Sequence, residues 1–197
     1  GGLGNDIYYV GDYLDDLLDT GGFDTVRSTF DYTLGGSFEA LELIGMSSLT
    51  ANGNSGDNLI KGNSGDNVLD GKGGVDTLYG AGGSDQFIFT FNGPGVGVDS
   101  VGDFEAGEDL AIIDLFSFGA NFGAMSGATS GLLSAGSFVK GEGAVALDPD
   151  DYFVLDTATG ILKFDSDGSY EGSSIDVLRF VEKLDDDIDQ TSFYLVL

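Results

Sequence analysis

GNSGDNLIK (53–61), GNSGDNVLD (62–70), GKGGVDTLY (71–79) and GAGGSDQFI (80–88) run head to tail, and their reading decides the fold. Position one of each nonapeptide is glycine (Gly53, Gly62, Gly71, Gly80), and so is position four (Gly56, Gly65, Gly74, Gly83). Glycine makes up 34 of the 197 residues, so chance would fill those places with odds of roughly one in a million per starting position, and the period is real. Position six is Asn58, Asn67, Asp76 and Asp85, and position eight is Ile60, Leu69, Leu78 and Phe87. Each unit is therefore a Gly-rich polar turn followed by a three-residue strand. Side chains alternate across a strand, so only the middle one points inward. Stacking such units aligns the position-eight residues into a narrow apolar core and the turns into two columns.

Working outward, residues 1–9 (GGLGNDIYY) match the same unit with Asp6 and Tyr8, and 19–27 is a degenerate copy keeping Gly22, Asp24 and Val26. Between them, 10–18 holds Asp15 and Leu17 in phase without the glycines. The step from position 19 to position 53 is not a multiple of nine. The pattern thus predicts two arrays, with FDYTL (30–34) and LELI (41–44) as strands around the Gly35-Gly36 turn in the segment joining them.

The charge narrows the function. Asp and Glu number 34 against 7 Lys and Arg, a net charge of −27, and there is no His, Cys or Trp. This excludes a Ser-His-Asp triad, a cysteine nucleophile, a His/Cys zinc site and a disulfide framework. Arg27, Lys61, Lys72, Lys140, Lys163, Arg179 and Lys183 are too scattered for a basic patch, so nucleic acid is not an expected partner. The expected counterion is a cation, because so many carboxylates repel one another in a compact body. An apolar share of 41%, with 15 Phe and 8 Tyr, suffices for a core. No apolar run approaches the roughly 18–20 residues that span a bilayer, so stable membrane insertion is not expected. The sequence opens Gly1-Gly2-Leu3-Gly4 without Met or a basic leader and reads as part of a longer protein.

The unit resembles the calcium-binding nonapeptide GGxGxDxUx of the repeats-in-toxin (RTX) family. The chemistry agrees: Ca²⁺ takes about six to eight oxygens, backbone carbonyls among them, and glycine allows the turns that aim carbonyls at one point. In that family same-side turns, two repeats apart, share each ion. The resemblance therefore implies several Ca²⁺ ions, with Asn58 beside Asp76 and Asn67 beside Asp85, the turns of Gly56, Gly65, Gly74 and Gly83, and Gly2, Gly4, Asp6 and Asp24 in the first array. Asn58 and Asn67 depart from the family's Asp and lower the ligand charge. Asp57 and Asp66, one residue earlier, are expected to face solvent. A metal-free Gly/Asn solenoid stacked by hydrogen bonds is the alternative; the net charge favours calcium.

VGDFEAGEDLAIIDL (101–115) resembles the segment that closes such arrays, which makes Asp99, Asp103 and Asp109 candidate ligands or, alternatively, turn formers. Residues 116–150 suggest no chemistry. YFVLDTATGILKFDSDGS (152–169) reads as two strands and a turn. Its D-x-D-G, Asp165 to Gly168, opens like a calcium loop and makes Asp165 and Asp167 candidates, but Asp176 stands where an EF-hand has Glu, which favours a simple turn. The final Phe193, Tyr194, Leu195, Val196 and Leu197, behind an acidic run, resemble the uncleaved C-terminal export signal of RTX proteins. They also read as a last strand.

The expected fold is all-β: a right-handed parallel β-roll (β-solenoid) in two short arrays, 1–27 and 53–90, joined by connecting strands 28–52 and finished by an irregular β-rich C-terminal cap over 91–197. The resemblance implies a calcium-binding module, not itself an enzyme, that folds on Ca²⁺ outside the cell. It would support type I secretion and folding of a larger exported Gram-negative protein, with the secretion machinery and upstream domains as partners. Two alternatives are the tail of a secreted protease, lipase or alginate epimerase, and the end of a surface-layer or adhesin protein. Upstream H-E-x-x-H or G-x-S-x-G would mark the first, tandem sandwich-like repeats the second.

Overall fold

A computed structural model describes residues 1–11, 17–91, 97–118, 130–165, 174–181 and 187–196. The first strands are β1 (Ile7–Val10), β2 (Thr25–Ser28), β3 (Tyr32–Thr33), β4 (Ala40–Leu43) and β5 (Thr50–Asn52). The nonapeptides supply β6 (Leu59–Lys61), β7 (Val68–Asp70), β8 (Thr77–Tyr79) and β9 (Gln86–Phe89). Beyond them lie β10 (Ser100–Val101), β11 (Leu110–Asp114), β12 (Gly131–Leu132), β13 (Phe138–Gly141), β14 (Phe153–Asp156), β15 (Ile161–Asp165), β16 (Ser174–Phe180) and β17 (Phe193–Val196).

These strands form two sheets, ordered β1-β2-β4-β6-β8-β10-β16-β15-β14-β13 and β12-β17-β11-β9-β7-β5-β3. Successive strands of the repeat region alternate between the sheets, and each pairs in parallel with the strand two ahead. This is a parallel β-roll. The pairs Leu59↔Thr77 and Val68↔Gln86 each join equivalent positions two nonapeptides apart, so one coil of the roll is two repeats.

Position eight forms the core as the alternation requires: Ile60, Leu69, Leu78 and Phe87 are all fully buried. Val26 continues the row at the N-terminal end. At the other end Phe104 packs on Phe87 (5.9 Å between centroids) and Phe180 (5.1 Å).

The segment 28–52 carries the roll through rather than interrupting it. Thr25 pairs with Ala40, and Ala40 in turn with Leu59. The first of these coils is shorter than two nonapeptides and the second is longer, so the step that is no multiple of nine is one short coil followed by one long coil. The described strands of 1–27, β1 and β2, thereby join β6 and β8 of 53–90 in the ten-stranded sheet.

Beyond residue 90 the turns lengthen, so Thr77 pairs with Ser100 and Gln86 with Leu110, but both sheets continue. β16 and β17 extend them in parallel, and β14, β15 and β16 form an antiparallel meander. Among the described residues no helix is long and apolar enough to cross a membrane.

Candidate metal centre

The turns fall into two columns, and position six organises both. Asp76 Oδ1 accepts the buried N–H of Asn58 (2.7 Å), and Asp99 Oδ1 that of Asp76 (2.9 Å). In the opposite column Asp85 Oδ1 accepts the N–H of Asn67 (2.7 Å), and Asp109 Oδ1 that of Asp85 (2.9 Å). At the start of the roll Asp24 Oδ1 accepts the N–H of Asp6 (2.8 Å). The side chain of one coil thus clips the backbone of the coil before it. The pairs Asn58/Asp76 and Asn67/Asp85 are neighbours, the adjacency that the family resemblance implied.

The glycines make room for this. A Cβ on Gly71 would land on Asp76 Oδ2, and one on Gly80 on Asp85 Oδ2. Position four brings backbones of successive same-side turns together, since a Cβ on Gly74 (φ +114°) would meet the Gly56 carbonyl and one on Gly83 (φ +110°) that of Gly65. Gly22 lies likewise against Gly4.

Each clip uses one carboxylate oxygen, and the second oxygen of Asp109 accepts the Glu105 N–H (2.8 Å). Asp24 Oδ2 and Asp76 Oδ2 are buried without any hydrogen-bond partner. A buried polar atom left so is costly, by about 1–3 kcal/mol and more when charged. Burial pushes the Asp76 carboxyl up to about 8 despite the Asn58 N–H bond, with Asp99 and Asp57 adding repulsion. Burial likewise raises Asp85 to about 7 and Asp99 to about 6, and it raises Asp109. These groups resist ionisation unless something positive joins them. Orphaned carboxylate oxygens beside glycine carbonyls form an all-oxygen donor set of the kind Ca²⁺ takes.

Residues 52–87 match the RTX calcium-binding nonapeptide repeat, in four copies. The chain carries RTX calcium-binding repeats. No curated protein matches it. The RTX repeat is a structural module that binds Ca²⁺ at multiple sites, and here its turns present Asp76 and Asp85 as the carboxylates at position six.

The two units with Asn at position six are built differently. Asn54 Nδ2 donates to the carbonyls of Gly35 (2.9 Å) and Phe38 (2.8 Å) in the preceding same-side turn, and Asn63 Nδ2 donates to that of Ser47 (3.0 Å). Asn58 Oδ1 accepts the Asn54 N–H (2.8 Å) and Asn67 Oδ1 the Asn63 N–H (2.7 Å). An amide at position two therefore ties each of these turns to carbonyls of the preceding same-side turn. These bonds add to the stacking of the GNSGDN turns, and Asn at position two is the signal for them in the sequence.

In the later units position two is Lys72 and Ala81, both left-handed (φ +70° and +74°). A non-glycine residue there costs about 1–2 kcal/mol, partly offset by the lower chain entropy lost on folding. Ala81→Gly is therefore expected to raise the stability of the calcium-loaded chain by about 0.5–1 kcal/mol, measured by denaturant unfolding.

Asp57 and Asp66 are exposed as expected, yet not idle. Asp57 Oδ1 accepts the Val75 N–H (2.8 Å) and Asp66 Oδ1 the Ser84 N–H (2.9 Å). Position five clips the coil that follows, opposite in sense to position six.

Asp103 accepts the N–H groups of Gly80 (2.8 Å) and Ala81 (3.0 Å), and with Asp109 it belongs to the column of Asp85. Asp165 ends β15, buried, with its N–H on the Tyr152 carbonyl (2.8 Å), and among the described residues no group of three acidic ligands gathers there. Its partner candidate Asp167 lies outside the described residues, as does Leu197. Phe193 and Leu195 are buried in β17, Tyr194 is half-buried and Val196 exposed.

Proposed function

We propose that this chain is a calcium-triggered folding and export module of a larger secreted bacterial protein. The observation that carries the reading is the row of buried position-six carboxylates, two oxygens of which lack any partner, in a chain of net charge −27. Asp76, Asp85, Asp99 and Asp109 would supply anionic ligands, and the turns of Gly56, Gly65, Gly74 and Gly83 would supply carbonyls. Gly2, Gly4, Asp6 and Asp24 would do the same in the first coils. Such turns give the chain calcium-dependent structure rather than catalysis, and upstream domains would carry any further activity.

Export follows from the same equilibrium. Where calcium is scarce, repulsion keeps the chain extended; outside the cell the ion drives folding, because binding free energy is folding free energy when the site does not pre-exist. The tail Phe193–Val196 agrees with this order of events. Its buried residues are hidden once β17 has joined β11, so a secretion machine that reads this tail reads it before folding.

The test is a folding titration with two ions. Carbonyl-rich turns suit a large flexible shell, whereas Mg²⁺ requires a tight octahedron and keeps its waters. Folding should follow Ca²⁺ at concentrations where Mg²⁺ does little. Equal potency of the two ions would count against the proposed sites.

A further inference from the structure

We propose that Asp6, Asp19 and Asp24 form a three-carboxylate site for a hard multivalent cation at the start of the roll, with Asp19 supplying a ligand that the nonapeptide pattern does not contain. One carboxylate oxygen of each lies within 4.8 Å of those of the other two. Asp19 occupies position one of the 19–27 unit, where all four nonapeptides of 53–88 have glycine. The site rests on the reading of Asp6 and Asp24 as ligands given above and adds Asp19 to them, and none of the three residues falls within the matched repeats 52–87.

Asp19 is held in place. Its side chain is fully buried, its Oδ1 accepts the Tyr8 hydroxyl (2.6 Å) and the Gly2 N–H (3.1 Å), and its Oδ2 accepts the Gly21 N–H (2.7 Å). Those bonds favour the ionised form. Asp24 supplies the independent sign of a missing ligand: it is fully buried, its Oδ1 is engaged by the Asp6 N–H, and its Oδ2 has no partner. A fourth acid, Glu39, accepts the Asp24 N–H (2.8 Å) and adds negative charge. A divalent or trivalent ion with a preference for oxygen balances these carboxylates and gives Asp24 Oδ2 its partner.

Tyr8 provides the readout, because the chain has no Trp and tyrosine is the absorber that can sensitise bound terbium. The experiment uses the full chain: Tb³⁺ emission excited through tyrosine, and calorimetric Ca²⁺ stoichiometry, for wild type, Asp19→Asn, Tyr8→Phe and Asp76→Asn. Asp19→Asn is expected to lower the stoichiometry by one ion and to lose the emission component that Tyr8→Phe also loses. Asp76→Asn is expected to keep that component. Wild-type stoichiometry and emission in Asp19→Asn would overturn the site. Should Asp19→Asn fail to fold, undiminished emission from Tyr8→Phe overturns it. If instead Asp76→Asn leaves calcium uptake unchanged while Tyr8→Phe still loses emission, the repeat reading fails and this site holds.

Discussion

Chelating calcium near pH 8 is expected to convert the chain from β-structure into an unordered polyanion, and millimolar Ca²⁺ to restore it, as followed by circular dichroism. A site filled at a hundredfold excess over its Kd contributes about 2.7 kcal/mol. Several such sites match the whole stability of a typical domain, about 5–15 kcal/mol. The metal-free fold has little to set against them, since its carboxylates repel one another and its many glycines lose much entropy on ordering. A fully folded spectrum in excess chelator would refute the coupling.

The same carboxylates fix how the chelated chain responds to acid. Asp76, Asp85 and Asp99 titrate at about 8, 7 and 6 in the fold against an ordinary 3.8. Raised values mean that the fold takes up protons the unfolded chain does not, so metal-free stability is greatest below about 4 and is lost as pH rises towards about 8. Acidifying the chelated chain from about pH 8 to about pH 5 should therefore restore part of the β-signal, the proton standing in for the ion. In the presence of calcium the same protons compete, and the Ca²⁺ midpoint should rise as pH falls through that window.

The sequence is legible where the nonapeptide is strict. Gly53 to Phe87 reveal the register, the core row and the paired turns, because each column is forced by a backbone approach or an inward-facing side chain. Legibility fails for three physical reasons. One short and one long coil hide the continuity through 28–52, since a roll needs only its strands in register and tolerates turns of unequal length. Asn54 and Asn63 escape notice because their work is across the coil, in bonds to carbonyls of the preceding same-side turn. Asp19 is invisible as a ligand because it stands where the pattern calls for glycine, and only the fold shows it beside Asp6 and Asp24.

Asp76→Ala is expected to be the most damaging single change among the repeat turns, raising the calcium midpoint for folding well beyond Asn58→Ala. Asp76 does two jobs. Its Oδ1 accepts the buried Asn58 N–H, so truncation strands that donor at a cost of about 1–3 kcal/mol. Its Oδ2 is the unpartnered oxygen available to the ion, and ion affinity follows ligand charge. Asn58 offers a neutral amide whose oxygen already accepts the Asn54 N–H and whose nitrogen donates to the Phe38 carbonyl (3.3 Å), so its loss loosens the turn without removing a charge. Asp57→Ala separates clip from ligand. It releases the exposed Val75 N–H to water and should lower the stability of the calcium-loaded chain by about 0.5–1.5 kcal/mol while leaving calorimetric Ca²⁺ stoichiometry unchanged. Asp76→Ala should lower both. Loss of stoichiometry in Asp57→Ala equal to that in Asp76→Ala would place the ion at position five, and the division between the outward clip and the inward ligand would have to be reversed.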